Sequence, residues 1–516
     1  MKLKFIPLDY GVYRGRVPGG KNIVFLNPNN WDDFGFKTQF AVTWCDFNAS
    51  EHYLGEIKIA FENQSSGWTA HSFPKEFESL PPNFYSLGLD VEYYEKLSKL
   101  PPEICRNITD SLHDVVADPD FLNRIKDDKA FQTSLTRGVS FTSISEQFRR
   151  TLGGGAPQTP YNFIYKVQAD AETAGLELRF DVSPDSKPST NIHVLIGRNG
   201  IGKTTLLNGM ISAIVKGHKL ERGAGNFWNV SQIPFSLIED KYFSSLVSVS
   251  FSAFDPFTPP LDSEDHSNDL KYFYVGLKKV VRENNVLKSE HKDIEKFSVE
   301  FASSLSSCFS QPQKKHRWIR AIRFLESDEN FAEMDLTRFA EEDGTVRLNE
   351  LKFKLFKKMS SGHAVVLLTM TKLVEKVDEK TLVLMDEPES HLHPPLLSAF
   401  TRALSDLLTN RNAVCIIATH SPVVLQEVPR RCVWKVRRTK LNANADRPES
   451  ETFGENVGVL TREVFQLEVQ KSGFHDLLNR DVNEGKSFDE ILNDYDGQIG
   501  LEGKAVLRSL IATRGY

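Results

Sequence analysis

Apolar positions along the chain fall into short runs of two kinds. Phe40-Ala41-Val42-Thr43-Trp44 and Ile57-Lys58-Ile59-Ala60-Phe61 have the composition of strands and are bounded by Asn-, Pro- and Gly-rich turns. Helix-like stretches follow between about Leu100 and Arg150. Phe163-Ile164-Tyr165-Lys166-Val167 and Leu176-Glu177-Leu178-Arg179-Phe180 read as two more strands, and Ile192 to Ile196 as a buried strand running straight into a glycine loop. A helix is expected from Thr204 to about Val215. Further on come a helix beginning near Ser360, a strand at Thr381 to Met385, a helix near Leu396 to Leu408 and a strand at Ala413 to Ala418. A last helix is expected around Gly503 to Thr513. This alternation predicts an α/β fold with a largely parallel sheet covered by helices.

The run Gly153-Gly154-Gly155-Ala156-Pro157 interrupts the pattern and marks a flexible joint, with a loop inside one domain as the competing reading. On the first reading, residues 1–152 form an N-terminal α+β domain, in which no chemical motif stands out, and residues 159–470 a second domain. Within the latter, a stretch from about 216 to 349, rich in Phe and charge, reads as a mostly helical insertion, and residues 471–516 read as a helical tail. Neither tandem repeats nor sustained heptads are visible, so no long coiled-coil arm is predicted.

A length of 516 residues suits two or three domains, and 40% hydrophobic with 26% charged residues is a globular composition. The densest apolar runs, such as Ala364 to Met370, are too short to cross a bilayer, and the N-terminus lacks the pattern of a signal peptide. A cytoplasmic protein with no membrane partner is the expectation. Five scattered cysteines (Cys45, Cys105, Cys308, Cys415, Cys432) fit unpaired thiols in a reducing compartment. A net charge of -6 gives no global attraction to nucleic acid.

The strongest chemical signal is Gly197-Arg198-Asn199-Gly200-Ile201-Gly202-Lys203-Thr204, followed by Thr205. It matches the phosphate-binding loop G-x-x-x-x-G-K-[ST] in the strand, loop and helix setting that loop requires. Backbone amides freed by the glycines, together with the following helix N-terminus, suit phosphates. Lys203 would reach the β- and γ-phosphates of ATP and Thr204 would give a hydroxyl to Mg²⁺. Leu382-Val383-Leu384-Met385-Asp386-Glu387-Pro388 is a buried strand ending in two carboxylates at the edge where α/β ligands bind. Asp386 is expected to hold Mg²⁺, directly or through water, and Glu387 to polarise the attacking water.

Two more segments narrow the class. Met359-Ser360-Ser361-Gly362-His363 opens a helix and resembles the ABC-ATPase signature, usually Leu-Ser-Gly-Gly-Gln; an ordinary serine cap is the competing reading. Ile416-Ile417-Ala418-Thr419-His420-Ser421-Pro422 is a strand ending in His at the distance of that family's switch histidine.

Together, residues from about 160 to 470 resemble an ABC-type ATPase head of the group that contains RecF, SMC and the OLD-type ATPases. The resemblance implies a head-to-tail pair of chains around ATP and Mg²⁺. Ser360, Ser361 and Gly362 would then complete the site of the opposite chain. The segment Asp386-Glu387-Pro388-Glu389-Ser390-His391-Leu392-His393-Pro394 departs from transporter ATPases and looks like the OLD and phage-defence group. His391 and His393 lack a third metal ligand at helical spacing and are read as dimer contacts. The family's glutamine after an early strand has no clear counterpart near Val247 to Ser252, where Phe254-Asp255 stands instead.

Asp494 and Asp496 form a D-x-D without a preceding buried strand, and no His-Asn-His pattern is seen. The chain is therefore similar to the ATPase subunit of Septu-type anti-phage systems, including retron-linked forms, which pairs with a separate HNH-type nuclease. The alternative is a stand-alone RecF- or SMC-like DNA-repair ATPase. Lys314-Lys315-His316-Arg317-Trp318-Ile319-Arg320 combines charge with an aromatic as nucleic-acid surfaces do, and a solvated helix face is an equal reading. Arg430-Arg431 with Arg437-Arg438 and Lys440 reads as ordinary surface.

Overall fold

The computed structural model describes residues 3–11, 17–155, 158–171, 173–184, 186–215, 224–231, 233–239, 242–250, 257–262, 270–283, 286–337, 359–439, 442–470 and 473–513. Ala156 and Pro157 of the expected joint, the ends of the expected insertion (216–223 and 338–349), Phe254-Asp255 and Lys440 lie outside them.

The chain first builds a five-stranded sheet from β1 (Lys4–Pro7), β2 (Ile23–Pro28), β3 (Gln39–Cys45), β4 (Glu51–Phe61) and β5 (Phe84–Gly88), in that spatial order. Only the β1–β2 pair is parallel. Helices α1 (Val91–Ser98), α2 (Pro102–Ser111) and α3 (Pro119–Ile125) follow, and Phe40, Ile57, Ile59, Tyr94 and Ile108 belong to one buried cluster with it. Inside this layer Lys58 is fully buried, 2.7 Å from Asp33. A buried ammonium is tolerated only with such a counter-charge.

A second body begins with the antiparallel strands β6 (Tyr161–Val167) and β7 (Leu176–Val182), joined by β9 (Asn226–Asn229) and β10 (Ser236–Leu237). Against them lies a seven-stranded sheet. Its order is β12 (Lys271–Gly276), β11 (Ser245–Ser250), β15 (Thr381–Asp386), β16 (Val414–Thr419), β8 (Ile192–Ile196), β17 (Val433–Thr439) and β18 (Asn442–Asp446). All neighbours are parallel except the last pair. Every residue of β8, β15 and β16 is buried, as strands covered on both faces must be. One face packs on helix α4 (Lys203–Ile214) and the aromatic side of the antiparallel sheet, including Phe163, Phe180 and Phe227. The other packs on α5 (Ile294–Phe309), α6 (Pro312–Leu325), α8 (Ser361–Lys376) and α9 (Pro394–Asn410), with the short α7 (Glu329–Glu333) alongside. The tail holds α10 (Val457–Gln470), α11 (Gly473–Asn483), α12 (Phe488–Asp494) and α13 (Leu501–Thr513).

The expectation of a mostly helical insertion over 216–349 needs correction. The elements of its first half, among the described residues, are strands: β9 to β12, then the hairpin β13 (Lys278–Glu283) and β14 (Val286–His291). Two of these strands belong to the main sheet, and among the described residues of this stretch helices begin only at Ile294. The Phe content that reads with charge as helical lies in part in strands, as at Phe273 in Tyr272-Phe273-Tyr274-Val275.

The two bodies meet through buried charge. Asp90, almost wholly inaccessible, ion-pairs with Arg317 of α6 and accepts from Arg411 Nη1 at 2.8 Å, and Arg411 also pairs with Asp378. Burial alone would raise the Asp90 carboxyl, but Arg317 and Arg411 overcome it and hold the group well below the usual carboxylate range. Removing one member of such a buried group strands the others. Asp90→Ala should therefore cost about 3–5 kcal/mol, read as a lower denaturant midpoint, and an unchanged midpoint would take this cluster out of the docking.

Candidate functional site at the carboxyl edge of the parallel sheet

Four parallel strands end at one level. Ser250 of β11 pairs in register with Asp386 of β15, Asp386 with Ala418 of β16, and Thr419 with Ile196 of β8. Such an edge is where α/β proteins bind ligands.

The glycine loop follows β8 and its glycines have separate reasons. A Cβ on Gly197 would stand 2.4 Å from Val436 O, so backbone passes where a side chain would be. Gly200 and Gly202 have φ of 80° and 95°, which disfavours any other residue. Gly202 precedes α4, whose first turn carries Lys203, Thr204 and Thr205. The Lys203 ammonium donates to the carbonyls of Gly197 at 3.0 Å and Arg198 at 3.1 Å. Burial lowers its pKa, opposed by the charges of Glu387, Asp386 and Glu389. Arg198 and Asn199 are exposed at the tip and Ile201 is half-buried.

Thr204 Oγ1 donates to Asp386 Oδ2 at 2.8 Å, so residues 182 positions apart meet across the intervening strand. Glu387 follows in the left-handed region, φ 45° and ψ 58°, with its amide on Ala418 O at 2.8 Å. For a non-glycine residue this conformation costs on the order of 1–3 kcal/mol, a strain typical of functional positions.

His420 Nδ1 lies 3.1 Å from Glu389 Oε1 and 3.7 Å from Glu387 Oε1. Glu389 is the residue sequence reading passed over. Its Oε1 accepts from Thr419 Oγ1 at 2.6 Å, His420 N at 2.7 Å and Ser421 N at 3.2 Å, and so sets the turn that presents His420. The Glu-Pro-Glu spacing was visible, but nothing local tied it to residues 30 positions away. Arg437 and Arg438, read as surface, are exposed, and Arg438 Nη1 stands 3.5 Å from where a Cβ on Gly202 would be.

Ser360 caps α8, its Oγ accepting from His363 N at 3.4 Å, with Ser361 and Gly362 in the first turn. A Cβ on Gly362 would sit 2.3 Å from His391 O, so this helix start is pressed against the turn after the carboxylate strand. Of the basic run in α6, Lys314, Arg317 and Trp318 are buried. Lys314 Nζ donates to Glu375 O at 3.0 Å and Trp318 Nε1 to Thr371 Oγ1 at 2.9 Å. Two of the run's charges and its tryptophan are thus taken up inside the protein, while His316 and Arg320 are exposed, Arg320 paired with Asp406, so no aromatic is left on that face to stack a base. Among the other basic residues, Arg431 Nη2 donates to Ser186 Oγ at 2.6 Å. Asp494 is tied to Lys486 at 3.1 Å.

Residues 282–426 match the family described as AAA domain, putative AbiEii toxin, Type IV TA system. Protein ea59 of Escherichia phage lambda is 44% identical over 529 residues, covering 99% of this chain and 99% of the relative. The chain belongs to the ea59 family. Solved structures share less with this ea59-family chain. An ABC-transporter ATP-binding cassette in its ADP conformation is 14% identical, covering 60% of this chain and 98% of its own, at a TM-score of 0.31. The SMC head domain from Thermotoga maritima is 11% identical, covering 56% and 100%, at 0.28. Scores this low leave the fold to the strand order, the glycine loop and its helix, which make this a P-loop ATPase fold. No helix among the described residues is long and apolar enough to cross a membrane.

The strain at Glu387 is measurable. Glu387→Gly and Glu387→Ala both remove the carboxylate, but only glycine tolerates φ 45°. Glu387→Gly should be the more stable of the two by about 1 kcal/mol, and equal unfolding midpoints would show that the backbone there is unstrained.

Proposed function

We propose that this protein binds and hydrolyses ATP with Mg²⁺ and that two copies close head to tail on the nucleotide. The observation that carries the proposal is the 2.8 Å contact of Thr204 with Asp386, with Lys203 and Glu387 at the same edge. Lys203 and the amides of Gly197 to Thr205 would hold the phosphates, and Thr204 and Asp386 the Mg²⁺. The donor set fits: a hydroxyl and a carboxylate oxygen already within one hydrogen bond are the oxygen ligands that hard cation takes. When bound, Mg²⁺ neutralises charge on the phosphates.

Glu387 is the base for water, held aloft by its left-handed backbone. His420 is kept by Glu389 at the position from which it would meet the γ-phosphate. Ser360, Ser361 and Gly362 open α8 with free amides and would cap the opposite chain's nucleotide. Turnover would then time a partner's activity. The relative at 44% identity is a phage protein, which supports a setting in phage–host conflict; the partner proposed there is a separate HNH-type nuclease.

Glu387→Gln should keep ATP binding and lose hydrolysis by about 10²–10⁴-fold. Full turnover in that variant would remove Glu387 from its role. Light scattering of the same variant should show a doubling of mass on adding ATP and Mg²⁺, abolished by Ser360→Arg. An ATP-independent monomer would sink the clamp while leaving single-chain hydrolysis standing. Co-purification with the neighbouring gene products should recover a nuclease in fixed ratio. Recovery alone, with hydrolysis stimulated by DNA, would favour the stand-alone DNA ATPase.

A further inference from the structure

Away from the phosphate loop, three side chains from three elements converge. Asp328 precedes α7, His363 lies in the first turn of α8, and His393 precedes α9. Each offers one ligand atom, and those atoms all lie within 4.8 Å of one another. His363 Nε2 is 3.1 Å from Asp328 Oδ1, and His393 Nε2 is 3.1 Å from Asp328 Oδ2. Among the described residues this is the one group of three or more His, Cys, Asp or Glu so arranged.

We propose that Asp328, His363 and His393 bind a divalent transition-metal ion of the zinc type. A tetrahedral ion with bonds of about 2.0–2.1 Å holds its ligand atoms about 3.4 Å apart. The two 3.1 Å contacts run to different oxygens of Asp328, and the three ligand atoms, all within 4.8 Å of one another, need to draw in by at most about 1.4 Å to reach that spacing. Two imidazoles and one carboxylate suit zinc or cobalt better than Mg²⁺, which prefers oxygen. Asp328 and His363 are each 9% exposed, whereas the His393 side chain is 47% exposed. Two ligands are thus fixed from inside, and the fourth position opens to solvent.

The surroundings orient the donors. His363 Nδ1 is hydrogen-bonded to Ser360 Oγ, the outer contact that fixes a metal-binding imidazole. Asp328 Oδ1 also accepts from Phe331 N at 3.2 Å, and the Phe331 ring lies 5.2 Å from the His363 ring. Both Nε2 atoms face the Asp328 carboxylate, and a metal bound there would take their lone pairs, leaving Nδ1 to carry the N–H of each ring. On His363 the Nδ1–H donates to Ser360 Oγ, whose hydroxyl turns away. On His393 the long 3.4 Å bond from Leu396 N to Nδ1 is given up. The ion would pin the segment before α7, the start of α8 and the turn before α9 to one another. Binding itself does not depend on the ATPase reading. Any effect on turnover through Ser360 does.

The test is a titration of metal-stripped full-length protein with Zn²⁺ by calorimetry, and with Co²⁺ by its visible bands, both in excess Mg²⁺. One equivalent should bind in the micromolar range or tighter, with Co²⁺ bands of tetrahedral intensity. His393→Gln changes an exposed side chain and should weaken binding at least tenfold, and Asp328→Asn should do likewise, on the order of what ligand-shell changes cost. Circular dichroism and melting confirm that each variant is folded. No stoichiometric binding by wild type, or equal affinity in both folded variants, would overturn the site and leave a plain His–Asp–His hydrogen-bond network.

Discussion

The hydrogen bond between Thr204 and Asp386 spans a strand, and the geometry of the whole carboxyl edge follows from what it needs. The two residues belong to strands that are not neighbours, since β16 lies between β8 and β15. α4 must therefore lean across the end of β16 for its first turn to reach Asp386. The residue it crosses is Ala418, in register with both Leu195 and Asp386, and small enough to leave the way open. The same edge gathers Asp386, Glu387 and Glu389 around a single buried ammonium. That concentration of negative charge is unfavourable alone and suits a divalent cation.

At the opposite end of β15 the chemistry is structural. Asp378, Glu379 and Lys380 precede the strand and take partners from the N-terminal body: Ser140 N to Asp378 Oδ2 at 3.0 Å, Arg150 to Glu379 at 3.7 Å, and Glu146 to Lys380. With the Asp90 cluster these form an ionic seam rather than an apolar one. Burying charge gains little stability over well-packed apolar groups, but mispairing it is expensive. The seam therefore specifies how the two bodies sit more than it strengthens them. One six-residue strand has its docking contacts at one end and its carboxylates at the other.

What sequence could disclose follows from how far each signal reaches. The phosphate loop, β8, β15 and β16 were legible because buried parallel strands are continuous apolar runs, and the glycine spacing answers to one backbone path. β11 and β12 were missed: the serine-broken run of β11 and the aromatic run of β12 read as strand only once a central sheet is there to bury them. The basic run of α6 misled for the opposite reason. Lys314 and Arg317 look like surface charge until the groups that take them, the Glu375 carbonyl and the Asp90 carboxylate, are brought from far along the chain. Glu389 and Asp328 share that invisibility, since each acts on residues distant in sequence.

The stretch from Asp386 to Pro394 is where these long-range contacts collect. Asp386 takes Thr204, Glu387 hangs from Ala418, and Glu389 gathers Thr419, His420 and Ser421. His391 presents its carbonyl to Gly362, and His393 reaches Asp328. A displacement of this turn cannot be absorbed locally. Gly362 has no side chain that could yield, and the left-handed Glu387 has little conformational room on the other side. Movement at the carboxylates must then be passed to the start of α8, and movement of α8 back to the carboxylates. For an ATPase whose proposed site is shared between two chains, this is the linkage required: α8 is the element that would face the partner's nucleotide, and the turn joins it to the chain's own.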